Sequence, residues 1–320
     1  MSFELERLRA GVFALAGRGV FVGTSSWKYA GWRGMLYDMA RYVYRSKFSE
    51  ARFERRCLLE YAEVFSTVCV DAAYYKFPGR SYLQGLASQV PEDFLFGFKV
   101  TDAITLKRFP NLPRFGEKAG KPNPDFLNAE LFATSFLAPC EEFRKQIGIL
   151  MFEFSHFHAT DYPRGREFVA ALDQFLAAIP QGWPYGVEIR NKSFLHPEYF
   201  AVLEKHGVTH VFTSWEGMPP IDEQIVMPGS FTTADRVAAR LLLRPGRGYA
   251  QAVEMFSPYA ELRDPYPEVR QAGARLISAG ARSPTQPKRT FVFVNNRLEG
   301  NALHTIQAMI ELAQTTLPPS

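Results

Sequence analysis

Eight short apolar runs recur along the chain, most of them ending in polar or charged residues: residues 21–25, 67–71, 94–99, 147–153, 185–190, 208–214, 240–244 and 290–296. Runs of this length, separated by helix-length segments, are the pattern of buried parallel strands joined by crossover helices. A strand covered by helices on one face and by its own barrel on the other has no polar side to present. Eight of them predict an α/β chain folded as a TIM-type (β/α)8 barrel: a closed parallel sheet with outer helices and long active-face loops. In such a barrel the chemistry sits at the C-terminal ends of the strands.

Between the runs, helical spacing predicts a helix over residues 49–64, with Ser49 as N-cap and Phe53, Cys57, Leu58 and Tyr61 on one face. Further helices are predicted over 81–89, 128–145, 161–179, 197–206 (closed by Gly207) and 301–312, the last ending before Pro318 and Pro319. Residues 249–287 read as partly helical, punctuated by Pro and Gly. Two long irregular stretches interrupt the alternation. Residues 101–125 hold Pro110, Pro113, Pro122 and Pro124 together with Lys107, Arg108, Arg114, Lys118 and Lys121, and residues 216–232 hold Pro219, Pro220, Pro228 and Gly229. Structureless loops this long inside a domain are commonly functional, and in a barrel the first lies on the active face.

Composition narrows the class. With 320 residues and 47% apolar content the chain has ample core for one barrel domain over 1–320, and no linker divides it. A formal charge of +4 is compatible with anionic ligands but is not the mark of a dedicated nucleic-acid-binding protein. The three cysteines, Cys57, Cys69 and Cys140, form no CxxC pair, which fits a reducing cytoplasmic setting. Residues 1–20 interleave Glu4, Glu6, Arg7, Arg9 and Arg18 with apolar positions and so lack a signal peptide's core. No run approaches membrane-spanning length, so no membrane partner is expected.

Four stretches carry a family resemblance: GTSSWKYAGW at residues 23–32, FSTVCVDAAYYKFP at 65–78, VEIRNKSF at 187–194 and VFVNNRLEGNA at 292–302. In this order they resemble the domain-of-unknown-function 72 family, also called YecE-like, over about 23–312. The resemblance implies a TIM-type barrel of this length and no particular activity. The chain is similar to a divergent member. It has Cys69-Val70-Asp71 where the family usually has Glu-Ile-Asn, Thr105-Leu106 in place of Thr-His, and Glu153-Phe154-Ser155 in place of Gln-Leu-Pro.

The strand-end residues define a candidate site. Residues two apart on a strand share a face, so Glu188 and Arg190 point the same way, as do Arg240, Leu242 and Arg244, with Arg244 nearest the mouth. The expected mouth combines Asp71, Lys99, Glu153, Glu188, Arg190, Arg244, Asn295 and Asn296, with Trp27 and Tyr75 contributing from the first two loops. Charges placed there are costly to desolvate unless paired or ligand-bound. They either satisfy one another as ion pairs at the rim or hold a ligand. Arginine forks suit phosphate or carboxylate. The leading expectation is therefore a site that binds, and hydrolyses or isomerises, a sugar phosphate or nucleic-acid fragment, with Arg190, Arg244 and Lys99 on the anion, Glu188 as general base or acid and Glu153 assisting. The partner is an anionic small molecule or a nucleic-acid fragment; oligomeric state and any cofactor stay open.

Two alternatives stand beside it. One is a non-catalytic nucleic-acid-binding module using the basic loop and the ring set Trp27, Tyr29, Trp32, Tyr37, Tyr74 and Tyr75. The other is a glycoside hydrolase using Glu153 and Glu188, since neighbouring strands bring carboxyl groups within the ~5–5.5 Å that retaining enzymes use. No metal is assigned: His156 and His158 form an HxH, but in a loop. A Schiff-base role for Lys99 would need a depressed pKa. Walker-type and GxGxxG loops and a nucleophile elbow are absent from the sequence.

Overall fold

The structure is a computed structural model that describes residues 3–282 and 289–315. Its eight parallel strands are β1 (Val20–Thr24), β2 (Thr67–Val70), β3 (Leu95–Lys99), β4 (Ile147–Phe154), β5 (Tyr185–Ile189), β6 (Thr209–Ser214), β7 (Arg236–Leu241) and β8 (Arg289–Val294). Each pairs with its sequence neighbour, and β8 returns to β1 to close the barrel. The outer layer comprises α1 (Leu5–Ala16), α2 (Glu50–Tyr61), α3 (Arg80–Ala87), α4 (Gly165–Ala178), α5 (Pro197–Lys205), α6 (Tyr249–Phe256), α7 (Pro267–Ala281) and α8 (Ala302–Gln314). The fold is the (β/α)8 barrel that the eight runs predict.

Local chemistry accounts for most boundaries. The Ser49 side chain accepts from the Arg52 amide and starts α2, and Asn301 caps α8 through the amides of Leu303 and His304. Gly207 ends α5 with φ +62°, a conformation that costs glycine nothing. Two expectations are corrected, and one helix is added. Residues 128–145 form no regular helix. One α-helical turn (Ala129–Leu131) widens into a π-type stretch (Phe132–Leu137) and then tightens into 3-10 turns (Ala138–Gln146). Pro139 at the second junction lacks the amide that a regular α-helix needs. The N-terminal segment, read only for its charges, forms α1, burying Leu8, Val12 and Leu15 at helical spacing.

The second correction concerns the seventh strand, which spans Arg236–Leu241 rather than residues 240–244. The Leu242 and Leu243 amides both turn to the Ser214 carbonyl, so the chain leaves the barrel just after Leu241. The rest of the region expected to be partly helical forms α6 and α7, with residues 283–287 outside the described residues, as are Pro318 and Pro319. Among the described residues no helix is long and apolar enough to cross a membrane.

The barrel interior is filled rather than open. Cys69, Leu95, Ile149, Met151, Val211, Ala238, Phe291 and Phe293 form a separate inner cluster, with Phe21 packed beneath. Phe293 spans the lumen because Gly97 on β3 leaves room: a Cβ there would lie 2.6 Å from the ring. This apolar plug is the floor on which the mouth residues stand.

Candidate functional site

The inner cluster sets the side-chain parity of every strand but β5, where the bonds of Glu188 to Arg240 and Thr213 do so. Because orientation alternates, the next inward positions above it are Ser25, Asp71, Lys99, Glu153, Glu188, Thr213, Arg240 and Asn295, one from each strand end. Glu153 and Glu188 are register partners on β4 and β5, so they sit at one height. A ring of eight polar or charged residues thus caps the apolar plug at the C-terminal end.

Arg240 is its hub. The side chain is 2% exposed and donates from Nη1 to Glu153 Oε2 at 2.6 Å and Glu188 Oε2 at 2.5 Å, with Nη2 3.3 Å from Asp71 Oδ1. Glu153 Oε2 also meets Lys99 Nζ at 2.8 Å and Arg190 Nη2 at 2.8 Å. Arg190 Nε and Thr213 Oγ1 both donate to Glu188 Oε1 at 3.1 Å. Two rings flank the outer cations: Tyr74 lies 3.8 Å from Lys99 Nζ, and Trp215 lies 3.6 Å from the Arg190 guanidinium. When all six groups are ionised, Asp71, Glu153 and Glu188 balance Lys99, Arg190 and Arg240.

The protonation states follow. Burial alone would raise the Glu153 carboxyl, but Arg190, Lys99 and Arg240 outweigh it and hold the group well below the ordinary carboxylate range. Burial would lower Lys99, but Glu153 and Asp71 more than offset it, so the ammonium is more basic than usual. That is the opposite of what a Schiff-base lysine requires. Arg240 is likewise raised, against its burial, by Glu188 and the other anions around it. Burial lifts the Tyr74 phenol to about 12.

Exposure separates the groups by role. The side chains of Glu153 and Glu188 are 3% and 0% exposed, whereas that of Asp71 is 29% exposed. Asp71 is the carboxylate a ligand would meet first. Glu188 has both oxygens bonded within the ring, so it reaches a ligand only by giving up those bonds. General-acid catalysis by the Glu153–Glu188 pair needs a proton on one member. Here Arg240 bridges the two, and Glu153 is held ionised.

The remaining sequence-predicted residues lie around this ring. Arg244 follows the end of β7, is 40% exposed, and pairs with Asp264 at 3.3 Å over the Tyr266 ring. It stands on the rim and does not join the hub. Asn295 is a ring member whose Oδ1 accepts from the Arg297 amide at 3.0 Å. Asn296 points to the opposite face, where its Oδ1 accepts from Trp32 Nε1 and from the Ala302 amide, tying the first mouth loop to α8. Trp27 is buried, with its carbonyl accepting from the Tyr37 hydroxyl, and Tyr75 is exposed beside Arg114. Spacing passes over Ser25, Thr213 and Trp215 as site residues, names Tyr74 only as one of the mouth rings, and gives Arg240 second place to Arg244. The run Arg240-Leu-Leu-Leu-Arg244 draws the strand too far along, while Val237-Ala-Ala-Arg240 carries the true alternation.

The basic loop is largely engaged within the protein. Arg108 pairs with Asp161, Arg114 pairs with Asp102 at 2.6 Å, and Lys107 and Lys118 lie over aromatic rings. His156 and His158 line a depression of about 190 Å³ beside this loop, together with Asp161. Among the described residues no group of three or more His, Cys, Asp or Glu is gathered to hold a metal ion.

Comparison with known proteins returns one family. The chain matches the family described as "Protein of unknown function DUF72" over residues 21–319. Two crystal structures of a DUF72 family protein from Enterococcus faecalis V583 share its fold, both at 18% identity, with TM-scores of 0.61 and 0.60. They cover 94% and 92% of this chain, and each match takes in 97% of theirs. A DUF72 family protein from Thermotoga maritima MSB8 is similar at 21% identity and TM-score 0.54, over 93% of this chain and 98% of its own. Among curated proteins nothing matches. A family match across nearly the whole length, together with the shared barrel, shows that this chain belongs to the DUF72 family.

Proposed function

We propose that the C-terminal mouth of the barrel binds a small ligand bearing a phosphate or carboxylate group, of the sugar-phosphate class. The observation that supports this is the ring itself. Every strand changes from an apolar to a polar inward residue at one end of the barrel, and that end opens to solvent through Asp71. In this reading Lys99 and Arg190 meet the anion at the outer edge of the ring. Glu153, Glu188 and Arg240 hold those two cations in place and act as positioning residues. Asp71 accepts a ligand hydroxyl or takes a proton from the carbon beside it, the general-base role that spacing alone gives to Glu188. Proton transfer next to a fixed cation is isomerase- or lyase-type chemistry, in which the cation stabilises the developing oxyanion.

A thermal-shift panel of sugar phosphates, nucleotides, short oligonucleotides and neutral sugars tests it. A ligand held only by the folded state at 100 times its Kd adds about 2.7 kcal/mol of stability. Stabilisation by a phosphorylated sugar should vanish in Lys99→Met, weaken in Asp71→Asn and persist in Arg244→Ala. A panel that leaves the wild type unmoved, or a Lys99→Met variant that responds as the wild type does, defeats the reading. Binding of oligonucleotides alone, with steep salt dependence, would replace it with the nucleic-acid module.

A further inference from the structure

Arg297 differs from the other mouth cations. Lys99, Arg190 and Arg240 share the ring carboxylates, while Arg244 and Arg247 share Asp264. Arg297 follows β8 by three residues, is half-buried, and has no carboxylate partner among the described residues. Its neighbours are phenols. The guanidinium lies 4.5 Å from the Tyr249 ring, and Tyr29 and Tyr259 complete the surround, packed edge to face at 5.6 Å. A cation in such a setting has lost part of its hydration without gaining a counter-charge.

Two unusual backbone features bring the tyrosines there. Tyr259 adopts φ +68°, which an aromatic residue takes up only under constraint. Its amide donates to the Phe256 carbonyl at 2.7 Å, and its carbonyl accepts from Asn301 Nδ2 at 3.1 Å. Gly31, two residues after Tyr29, lies so close to the 258–259 segment that a Cβ would sit 2.0 Å from the Pro258 carbonyl oxygen. The first mouth loop and the loop after α6 therefore close on each other around Arg297. Just past the end of the adjoining β1, Ser25 Oγ is fully buried without a hydrogen-bond partner. Tyr249 is half exposed, so the group is open to solvent on that side.

We infer that Arg297, with the hydroxyls of Tyr29, Tyr249 and Tyr259, forms an anion site that takes a phosphate monoester group. A guanidinium fork matches two phosphate oxygens, and phenols donate to the rest. An arriving dianion supplies the counter-charge that the described residues leave out. The location after strands seven and eight is also where barrels of this class hold phosphate. Combined with Lys99 and Arg190, the site implies a ligand with two anionic ends, such as a phosphorylated sugar acid or a bisphosphate. In that respect the inference rests on the reading above.

Inorganic phosphate is the probe, titrated by calorimetry against the wild type, Arg297→Gln, Arg297→Lys, Tyr249→Phe and Lys99→Met. The expected result is saturable binding that weakens at least tenfold in Arg297→Gln and severalfold in Tyr249→Phe, with a smaller loss in Lys99→Met, whose ammonium serves the ring-side end of the ligand. Should Arg297→Gln not fold, Arg297→Lys, which keeps the charge but loses the fork, is expected to show a clear partial loss. Phosphate binding that survives both Arg297 substitutions, or a wild type that binds no phosphate, overturns the inference. Loss confined to Lys99→Met overturns it too and leaves the ring-centred reading standing. Phosphate binding lost with Arg297, alongside a sugar-phosphate panel that shows no response, upholds the anion site and removes the proposed ligand class.

Discussion

Removing the hub of the ring gives the sharpest test of its energetics. Arg240→Met keeps the side chain's length and deletes its charge, leaving Asp71, Glu153 and Glu188 with only Lys99 and Arg190. Arg240 Nη1 lies 2.6 and 2.5 Å from Glu153 and Glu188. With the charge centres of each ion pair taken about 4 Å apart, two such pairs at an effective dielectric constant of 20 amount to about 8 kcal/mol of gross attraction. Deleting the cation also removes its own desolvation penalty of several kcal/mol. The difference is a net loss of about 3–5 kcal/mol, a large share of the roughly 5–15 kcal/mol that holds a protein folded. Urea unfolding followed by circular dichroism at pH 7 reads this directly. The pH dependence has a definite sign. In the variant a buried carboxyl becomes harder to ionise than in the unfolded chain, so the folded state binds the extra proton. The deficit should then shrink as pH falls from 7 towards 5. Adding Glu188→Gln should recover at least about 1 kcal/mol through the coupling between the two sites. A loss below about 1 kcal/mol, independent of pH and unrelieved by the second substitution, would show that the ring is solvated and would refute the argument.

Three further outcomes follow from the same geometry. The depressed Glu153 carboxyl contributes stability that is fully present above the unfolded value of about 4.3 and is lost as pH falls through its lower folded value. Glu153→Gln should therefore destabilise at neutral pH and flatten the acid limb of a stability–pH curve; an unchanged acid limb would contradict this. Burial depresses His210 to about 3, and its Nδ1 lies 3.2 Å from the Tyr199 hydroxyl. Its imidazole should stay neutral in nitrogen-15 NMR at pH 5, and because the unfolded ring takes up a proton first, stability should fall as pH drops below about 6.5. Gly97→Ala places a methyl group 2.6 Å from the Phe293 ring and should cost about 1–3 kcal/mol in urea melts, with Phe293→Leu relieving part of it.

What the linear chain determined is the architecture and part of the membership of the mouth. Buried parallel strands need apolar runs four to eight residues long whatever their partners, so the alternation of runs and helical stretches is written in local pattern. Polar residues at the ends of those runs, such as Asp71, Lys99, Glu153 and Glu188, mark the polar end of the barrel before any contact is known. The resemblance motifs supplied the family. Which of these residues meet, and which are free to meet a ligand, was decided only by closure of the barrel. Arg240 lies 87 residues from Glu153 and 169 from Asp71. The apolar run between it and Arg244 favours Arg244, and the turn after Leu241 is made by hydrogen bonds to Ser214 on another strand. The same holds for Arg297. An arginine in a loop looks alike with or without a carboxylate nearby, and only the folded neighbourhood of Tyr29, Tyr249 and Tyr259 shows that it has no counter-charge among the described residues. Charge compensation is a property of distances across the barrel, and sequence order does not carry those distances.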